Sequence, residues 1–325
     1  MGNFKLISFG ALILLVVMYL TAWWVSSEPD LLVAEINQSQ QALGERAPVG
    51  YSTTTALIRV SETLLNKSGG YLSNDIMPPF SLLDNMPAWE LGVLEMSRDL
   101  ALALRKDLSR SQSQSTENKF LKVAQPQFNI DHKSWAIPSA ESEYKKAIGQ
   151  LYLYREELID PAKPDSQFYA RADNLRDWLK AVEKRLGSYS QRLSASVGQD
   201  RLNTDLAGDA SARQSTNAPS LRNIKTSWWK IDDEFYEARG AAWALLHFLK
   251  AVEVDFADTL ERKNAMISLR QIIRELEATQ QSIWSPMILN GSGFGLLANH
   301  SLVMANYISR ANAALIDLSE LLTQG

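Results

Sequence analysis

Ser142-Glu-Tyr-Lys145 has the Ser-x-x-Lys spacing of serine acyl enzymes, where a lysine one helical turn on can take the serine proton. Lys225-Thr226-Ser227 is similar to the Lys-Thr-Gly element of the same enzymes. The middle Ser-x-Asn element is missing between them, and Ser73-Asn74-Asp75 lies upstream in the wrong order. Such enzymes also set the nucleophile helix beside a sheet, and the chain has no alternating strand of convincing length. Ser142 therefore reads as a polar position in the first turn of a helix. Paired carboxylates offer a second chemistry, because glycosidases hold two acids about 5–9.5 Å apart across a cleft. The acids available are Asp232, Asp233, Glu234 and Glu237, with Glu90 and Glu95. Asp233 and Glu237 share a helix face, but Asp232–Glu234 stands at a helix start, where acids favour the positive end of the dipole. A peptidoglycan-directed glycoside hydrolase using a carboxylate pair is thus the alternative to a non-enzymatic role. No residue is assigned as catalytic.

Metal and cofactor chemistry find little support. Only His132, His247 and His300 are present, with no His-x3-His or His-Glu-x-x-His spacing. His247 lies among core positions (Leu246, Phe248) and reads as a satisfied core histidine. The absence of cysteine excludes thiol nucleophiles, disulfides, iron–sulfur clusters, cysteine zinc sites and a lipoprotein anchor. Gly291-Ser-Gly-Phe-Gly295 follows no strand and reads as a hinge or cap loop rather than a phosphate cradle. No metal site and no cofactor are assigned. At 325 residues, 46% hydrophobic, 9% aromatic and 22% charged, the composition is that of a folded core. A formal charge of −4 argues against a nucleic-acid binder that works by neutralising phosphates.

The averages hide one local feature. Leu6–Val25 runs for twenty residues without a charge, enough for about 30 Å of hydrocarbon. Tyr19, Trp23 and Trp24 form an aromatic belt at its outer end. A cleavable signal peptide would have an apolar core of about 7–15 residues and a small-x-small site, whereas this run is longer and ends in Trp-Trp-Val. The expectation is an uncleaved single-pass transmembrane helix in contact with membrane lipid. Lys5 and the amino terminus precede it; Glu28 and Asp30 follow. By the positive-inside rule the N-terminus is cytoplasmic and the bulk of the chain is exported. Setting Lys5 aside leaves that bulk at −5.

The remainder shows heptad-spaced apolar runs: Phe168 to Leu193, Ile231 to Phe256, Leu297 to Leu322, and a shorter one from Trp89 to Ala103. Apolar companions widen each stripe to the face of a packed bundle. The fold class is all-α: one N-terminal transmembrane helix, then an antiparallel bundle of about six to eight helices. Caps and prolines set the boundaries: Asp84 or Asn85 with Pro87, Pro138-Ser139, and Thr226 or Ser227 read as helix starts. The anchor covers 1–27 and a membrane-proximal helical segment 28–108. A polar loop covers 109–137, which Phe120, Phe128, Trp135 and Ile137 could pin to the bundle. A helical hairpin follows at 138–197, then a flexible linker at 198–226, with disorder expected at 207–220. The C-terminal helical segment is 227–325, with one helix over about 260–283 and a glycine-broken loop before the last. Helix, Gly/Pro-containing loop, helix recurs at 51–108 and 260–322, an order that two independent hairpins explain better than a repeat.

Two surfaces are candidates for partner binding. The loop Gly69–Pro87 is unusually apolar for a connection, with Tyr71, Met77, Phe80, Leu83 and, at its end, Met86; either it is exposed as an interface or it folds back over the bundle end. The second is Trp228-Trp229 with Trp284, since aromatics at loop–helix junctions are favoured interface anchors.

The phrases GYSTTTALIRVSETLLNKSGGYLSND (50–75), LLDNMPAWELGVL (82–94), SRSQSQS (109–115) and SWAIPSAESEYKKAI (134–148), in this order, carry a resemblance. The chain resembles, over nearly its whole length, a family of proteobacterial inner-membrane proteins with one N-terminal anchor, catalogued only as a domain of unknown function. That resemblance implies an envelope protein and brings no activity or site residues. The expected function is a periplasmic helical-bundle domain held at the inner membrane, binding or scaffolding an unidentified envelope protein. No nucleic acid is expected, and the oligomeric state is left open.

Overall fold

The computed structural model describes residues 2–32, 44, 47–112, 114–160, 162–163, 165–202, 221–285, 287–292 and 295–324. Among these are ten α-helices: α1 (Gly2–Val25), α2 (Tyr51–Asn66), α3 (Asn85–Ala103), α4 (Lys119–Phe128), α5 (Ala140–Ile159), α6 (Ala172–Ser194), α7 (Ile231–Asp255), α8 (Ala257–Arg262), α9 (Met266–Thr279) and α10 (His300–Thr323). The all-helical expectation holds. Nine helices follow α1 rather than six to eight, for two reasons. The polar loop contains α4, whose N-terminal amides at Phe120 and Leu121 donate to the Asn118 side chain. The helix expected over 260–283 is divided into α8 and α9 where Asn264 turns to φ 52°, a left-handed conformation that asparagine tolerates better than most residues. Phe128 is buried and Phe120 half-buried, but Trp135 and Ile137, expected to pin the same segment, are exposed.

Several caps form as the sequence indicates. Ser139 Oγ accepts from the Ser142 amide at the start of α5, and Asp84 accepts from the Asn85 amide at α3. The expected Thr226 or Ser227 cap is displaced, because a 3-10 turn at Trp228–Lys230 precedes α7 and no side chain caps it. The two ends of the expected 198–226 linker pair as a short antiparallel ribbon of β1 (Gln199–Leu202) and β2 (Leu221–Ile224), with Leu202 opposite Leu221. The 207–220 stretch lies outside the described residues.

One continuous core joins the bundle helices, with α3 and α7 in the closest contact. A Cβ on Gly92 would fall 1.9 Å from the Glu237 carbonyl oxygen, and one on Gly240 2.1 Å from that of Trp89. The two backbones therefore touch, with Trp89 and Trp243 tilted against each other beside the crossing.

The helices alternate in direction. Thr53, at the start of α2, donates both its amide and its hydroxyl to Asp255 at the end of α7, each at 2.6 Å. At the other end of α2, Gly69 meets Val25 of α1. α5 begins beside the loop after α2, where Asn74 Nδ2 donates to Ser134 O and Glu141, and it ends with Arg155 donating to Thr55. Near the C-terminus of α6, Arg192 pairs with Glu234 and Glu237 in the first turns of α7, and α9 ends at Arg239. Thus α2, α6 and α9 run toward α1, while α3, α5, α7 and α10 run away from it. The described residues of four connections, 67–84, 129–139, 195–230 and 280–299, gather at the α1 end. Both loops of the twofold helix–loop–helix order are among them.

Candidate functional site

The site that organises this end is the junction of α1 with the bundle. α1 projects with most of its described apolar side chains uncovered; Ile7–Val25 is long and apolar enough to cross a membrane. Among the described side chains of α1 only Val25 is buried, at 1% exposure. It packs on Gly69, where φ is +81° and a Cβ would fall 2.8 Å from the valine. Glycine is needed twice over there, for the turn and for the room. The loop behind it is wound round a buried carboxylate. Glu90 accepts from the amides of Leu72 (2.9 Å) and Ser73 (2.8 Å) and from the Ser73 hydroxyl. Lys67 Nζ stands 2.7 Å away, its side chain 2% exposed. Burial pushes the Glu90 carboxyl up and Lys67 opposes the shift.

Three residues on, Glu28 grips Arg239 of α7, with Nε at 2.8 and 2.7 Å from the two carboxylate oxygens. The same guanidinium donates to the carbonyls of Thr279 (2.7 Å), Gln281 (3.0 Å) and Gln280 (3.3 Å). A cation is well placed there, among the unpaired carbonyls at the end of α9. Farther along, the Leu32 amide donates to Nε2 of His247 at 2.8 Å. His247 Nδ1 lies 2.7 Å from the Trp243 carbonyl, so that nitrogen carries the proton. Burial lowers the His247 pKa to about 4, and the ring is neutral at pH 7. Val25, Glu28 and Leu32 thus tie the chain to successive levels of the bundle, climbing α7 from Arg239 to His247.

Beside Arg239 opens a cleft of about 490 Å³ between α7, the end of α9 and the first turns of α10. Phe235, Ile283, Trp284, Val303, Met304 and Tyr307 form its apolar walls; Arg239 and His300 stand beside the uncharged polar Thr279, Gln281, Ser282 and Ser285. Its size suits a small ligand. Its chemistry favours binding over reaction, since Arg239 is held by Glu28 and His300 Nδ1 accepts from the Leu289 amide.

The acids weighed for glycosidase work are mostly engaged. Glu90 is paired with Lys67; Glu95 takes Arg185 at 2.6 Å and the Tyr189 hydroxyl at 2.8 Å; Glu234 and Glu237 hold Arg192. Asp232 and Asp233 are half-buried, and their carboxyls are pushed up by burial and by Asp84. Ser142 Oγ donates to the Ser139 carbonyl within the first turn of α5. Among the described residues no group of three or more His, Asp or Glu is placed to hold a metal ion.

Of the candidate partner residues, Tyr71 and Met86 are buried, with the Tyr71 hydroxyl bonded to the His132 carbonyl. Phe80 and Leu83 are half-buried against the core, and only Met77 is well exposed. The two ends of the loop Gly69–Pro87 therefore fold back over the bundle, the first drawn inward by the Glu90 carboxylate, while Ile76, Met77 and Leu82 in its middle stay exposed. Trp228 and Trp229 are exposed and packed edge-to-face at 5.0 Å. Trp284 is 97% exposed at the rim of the cleft. In α1, Tyr19, Trp23 and Trp24 are exposed. Sequence reasoning did not single out Glu28 and Arg239. The available signal was an arginine inside the apolar run of α7, next to Ala238 and Gly240.

The model of the family described as "Uncharacterized protein conserved in bacteria (DUF2333)" matches residues 2–325. The chain belongs to this family. The match covers α1 and the bundle together, so the junction lies inside the region that defines the family. No curated protein and no solved structure matches the chain.

Proposed function

We propose that this chain is a single-pass inner-membrane protein whose helical bundle lies on the periplasmic side and serves as a binding or scaffolding component of the cell envelope. The junction carries this reading. An uncovered apolar helix is fastened to the bundle by a buried valine, an ion pair and a histidine-accepted amide. A bundle so fastened presents its clefts at a fixed height and angle to a membrane, which suits a protein that positions others. The charge pattern around Leu6–Val25 supports the orientation.

Three measurements test it. The full-length protein is expected to stay with the membrane pellet through alkaline carbonate; release would sink the anchor. A C-terminal alkaline phosphatase fusion is expected to be active and a C-terminal cytoplasmic reporter silent, and the reverse pattern would invert the topology. Crosslinking in intact membranes followed by mass spectrometry is expected to return the same envelope protein from independent preparations, lost when the bundle surface is altered. A protein that crosslinks only at random would refute the scaffolding role.

A further inference from the structure

The apolar surface of the bundle is not spread evenly. Among the described residues, every exposed tryptophan and methionine outside α1 (Trp135, Trp228, Trp229, Trp284, Met77, Met287) falls in one of the four connections at the α1 end. Each connection adds aliphatic side chains of the same kind: Ile76 and Leu82 in the first, Ile137 in the second, Leu202 and Leu221 in the third, Leu296 and Leu297 in the fourth. The fourth, 280–299, has no charged residue at all. Charges occur at both ends, with Lys67, Asp75, Asp131, Lys133, Asp200, Lys225 and Lys230 at this one; what the opposite end lacks, among the described residues, is exposed tryptophan and methionine. Its connection 104–118 carries Arg105, Lys106, Asp107, Arg110 and Glu117, and 256–265 carries Asp258, Glu261, Arg262 and Lys263.

The level of this apolar end follows from α7. After Val25 the chain climbs from Arg239 to His247, toward the C-terminus of α7, so α1 departs from the N-terminal side. Ile231 lies about 12 Å below Arg239 at 1.5 Å per residue, and Trp228–Trp229 lie below that again. The exposed tryptophans therefore stand on the side of the bundle from which Trp23 and Trp24 of α1 also emerge.

We infer that the α1 end of the bundle is a membrane-seated face, the described residues of its four connections resting in the headgroup layer of the bilayer that α1 crosses. This rests on the anchor reading above and adds a second contact with the same membrane. The occupant follows from position and composition. A patch meant for a soluble partner has no reason to collect around the exit of an apolar helix. Amphipathic indole rings beside exposed aliphatic side chains, with one connection wholly uncharged, match the chemistry of the interface. Lys225 and Lys230, flanking the Trp228–Trp229 pair, supply cations at headgroup level, so the net acidity of the whole bundle does not govern this face.

The natural absence of cysteine makes the test direct. The full-length chain is prepared with one substitution at a time: Met77→Cys, Trp135→Cys, Trp229→Cys, Trp284→Cys or Leu297→Cys on the proposed face, Ile267→Cys at the far end, and Ile13→Cys in α1. All seven side chains are exposed, so the core is untouched. Each is labelled with an environment-sensitive fluorophore in vesicles of phosphatidylethanolamine and phosphatidylglycerol, some carrying lipids brominated at defined depths. Labels on the face should be blue-shifted and quenched several-fold more than the Ile267 label by bromines near the headgroups, and Ile13 by deep bromines. If Ile13 is quenched but the face reads like Ile267, the face is refuted and the anchor stands. If Ile13 is not quenched, the anchor fails and the face with it. Blue-shifted face labels without lipid quenching, together with disulfide-linked dimers of the unlabelled variants, would give the surface to a second copy of the chain and refute the bilayer as its occupant.

Discussion

At the scale of single residues the molecule relies on a few buried polar groups with assigned partners. Arg239 is the clearest, with Glu28 and three carbonyls around one guanidinium whose side chain is 7% exposed. Arg239→Ala should cost about 3–5 kcal/mol in denaturant unfolding, because it leaves the carboxylate and the end of α9 without a donor. Glu28→Gln, which keeps a partner for Nε, should cost less than half as much. Two other groups give opposite dependences on pH. His247 drops from its ordinary 6.5 to about 4 through burial, so its contribution to stability is present above pH 6.5 and lost as pH falls through 4. Asp255 is pushed by burial from 3.8 to about 6, against the pull of the Thr53 donors. Its contribution is present below pH 3.8 and lost as pH rises through 6. At about 1.4 kcal/mol per tenfold change in proton affinity, each is worth about 3 kcal/mol, and between pH 4 and 6 the two nearly cancel. Asp255→Asn should therefore leave a variant that gains stability steeply as pH rises through this window, and His247→Gln one that loses it. Unfolding midpoints measured across pH 4–7 decide the matter; matching slopes in the two variants would contradict the assignment.

At the scale of elements, α3 and α7 are joined by backbone contact, which neither helix can relax alone. Gly92→Ala or Gly240→Ala should each cost about 1–3 kcal/mol by overpacking. The double variant should cost less than the sum, since the first methyl already forces the helices apart. Equilibrium unfolding of the two single variants and the double measures this directly. This contact also marks the limit of what heptads reveal. The apolar periodicity located α3, α6, α7 and α10, and Ser139 and Asp84 located helix starts, because these signals are local. The run from Leu297 to Leu322 overshot its helix by three residues, since Asn299 caps α10 and Leu297 stays exposed. The break at Asn264 was invisible because lysine and asparagine also occur inside helices. The junction was least legible of all. Glu28 and Arg239 are far apart in sequence and unremarkable in type, and only the fold makes them partners. The apolar loop after Gly69 was recognised, but whether Tyr71 and Met86 faced in or out depended on Glu90, a residue read there only as a possible acid.

At the scale of the whole molecule, the exposed tryptophans among the described residues of the bundle gather at one end, and α1 leaves from that end. Removing residues 1–46 should lower the stability of the remaining bundle by several kcal/mol, since the loss of Val25 burial alone costs about 1.5 kcal/mol and Arg239 loses its counter-ion. The shortened chain should also self-associate through the exposed apolar side chains of the connections at the α1 end, as sedimentation would show. A monodisperse fragment of unchanged stability would mean that the junction contributes little.

The fastening at Val25, Glu28 and Leu32 has a mechanical consequence. A helix longer than the local hydrocarbon thickness tilts to fit it, and here no slack segment separates α1 from its first holds on the bundle. With α1 across a bilayer, as proposed, α1 and the bundle would move as one lever with its fulcrum at the headgroups. The 24 residues of α10 span about 36 Å at 1.5 Å per residue, so a tilt of ~10° would become a sweep of ~6 Å at the far end. A change in bilayer thickness would thus be delivered, amplified, to the end of the bundle farthest from α1.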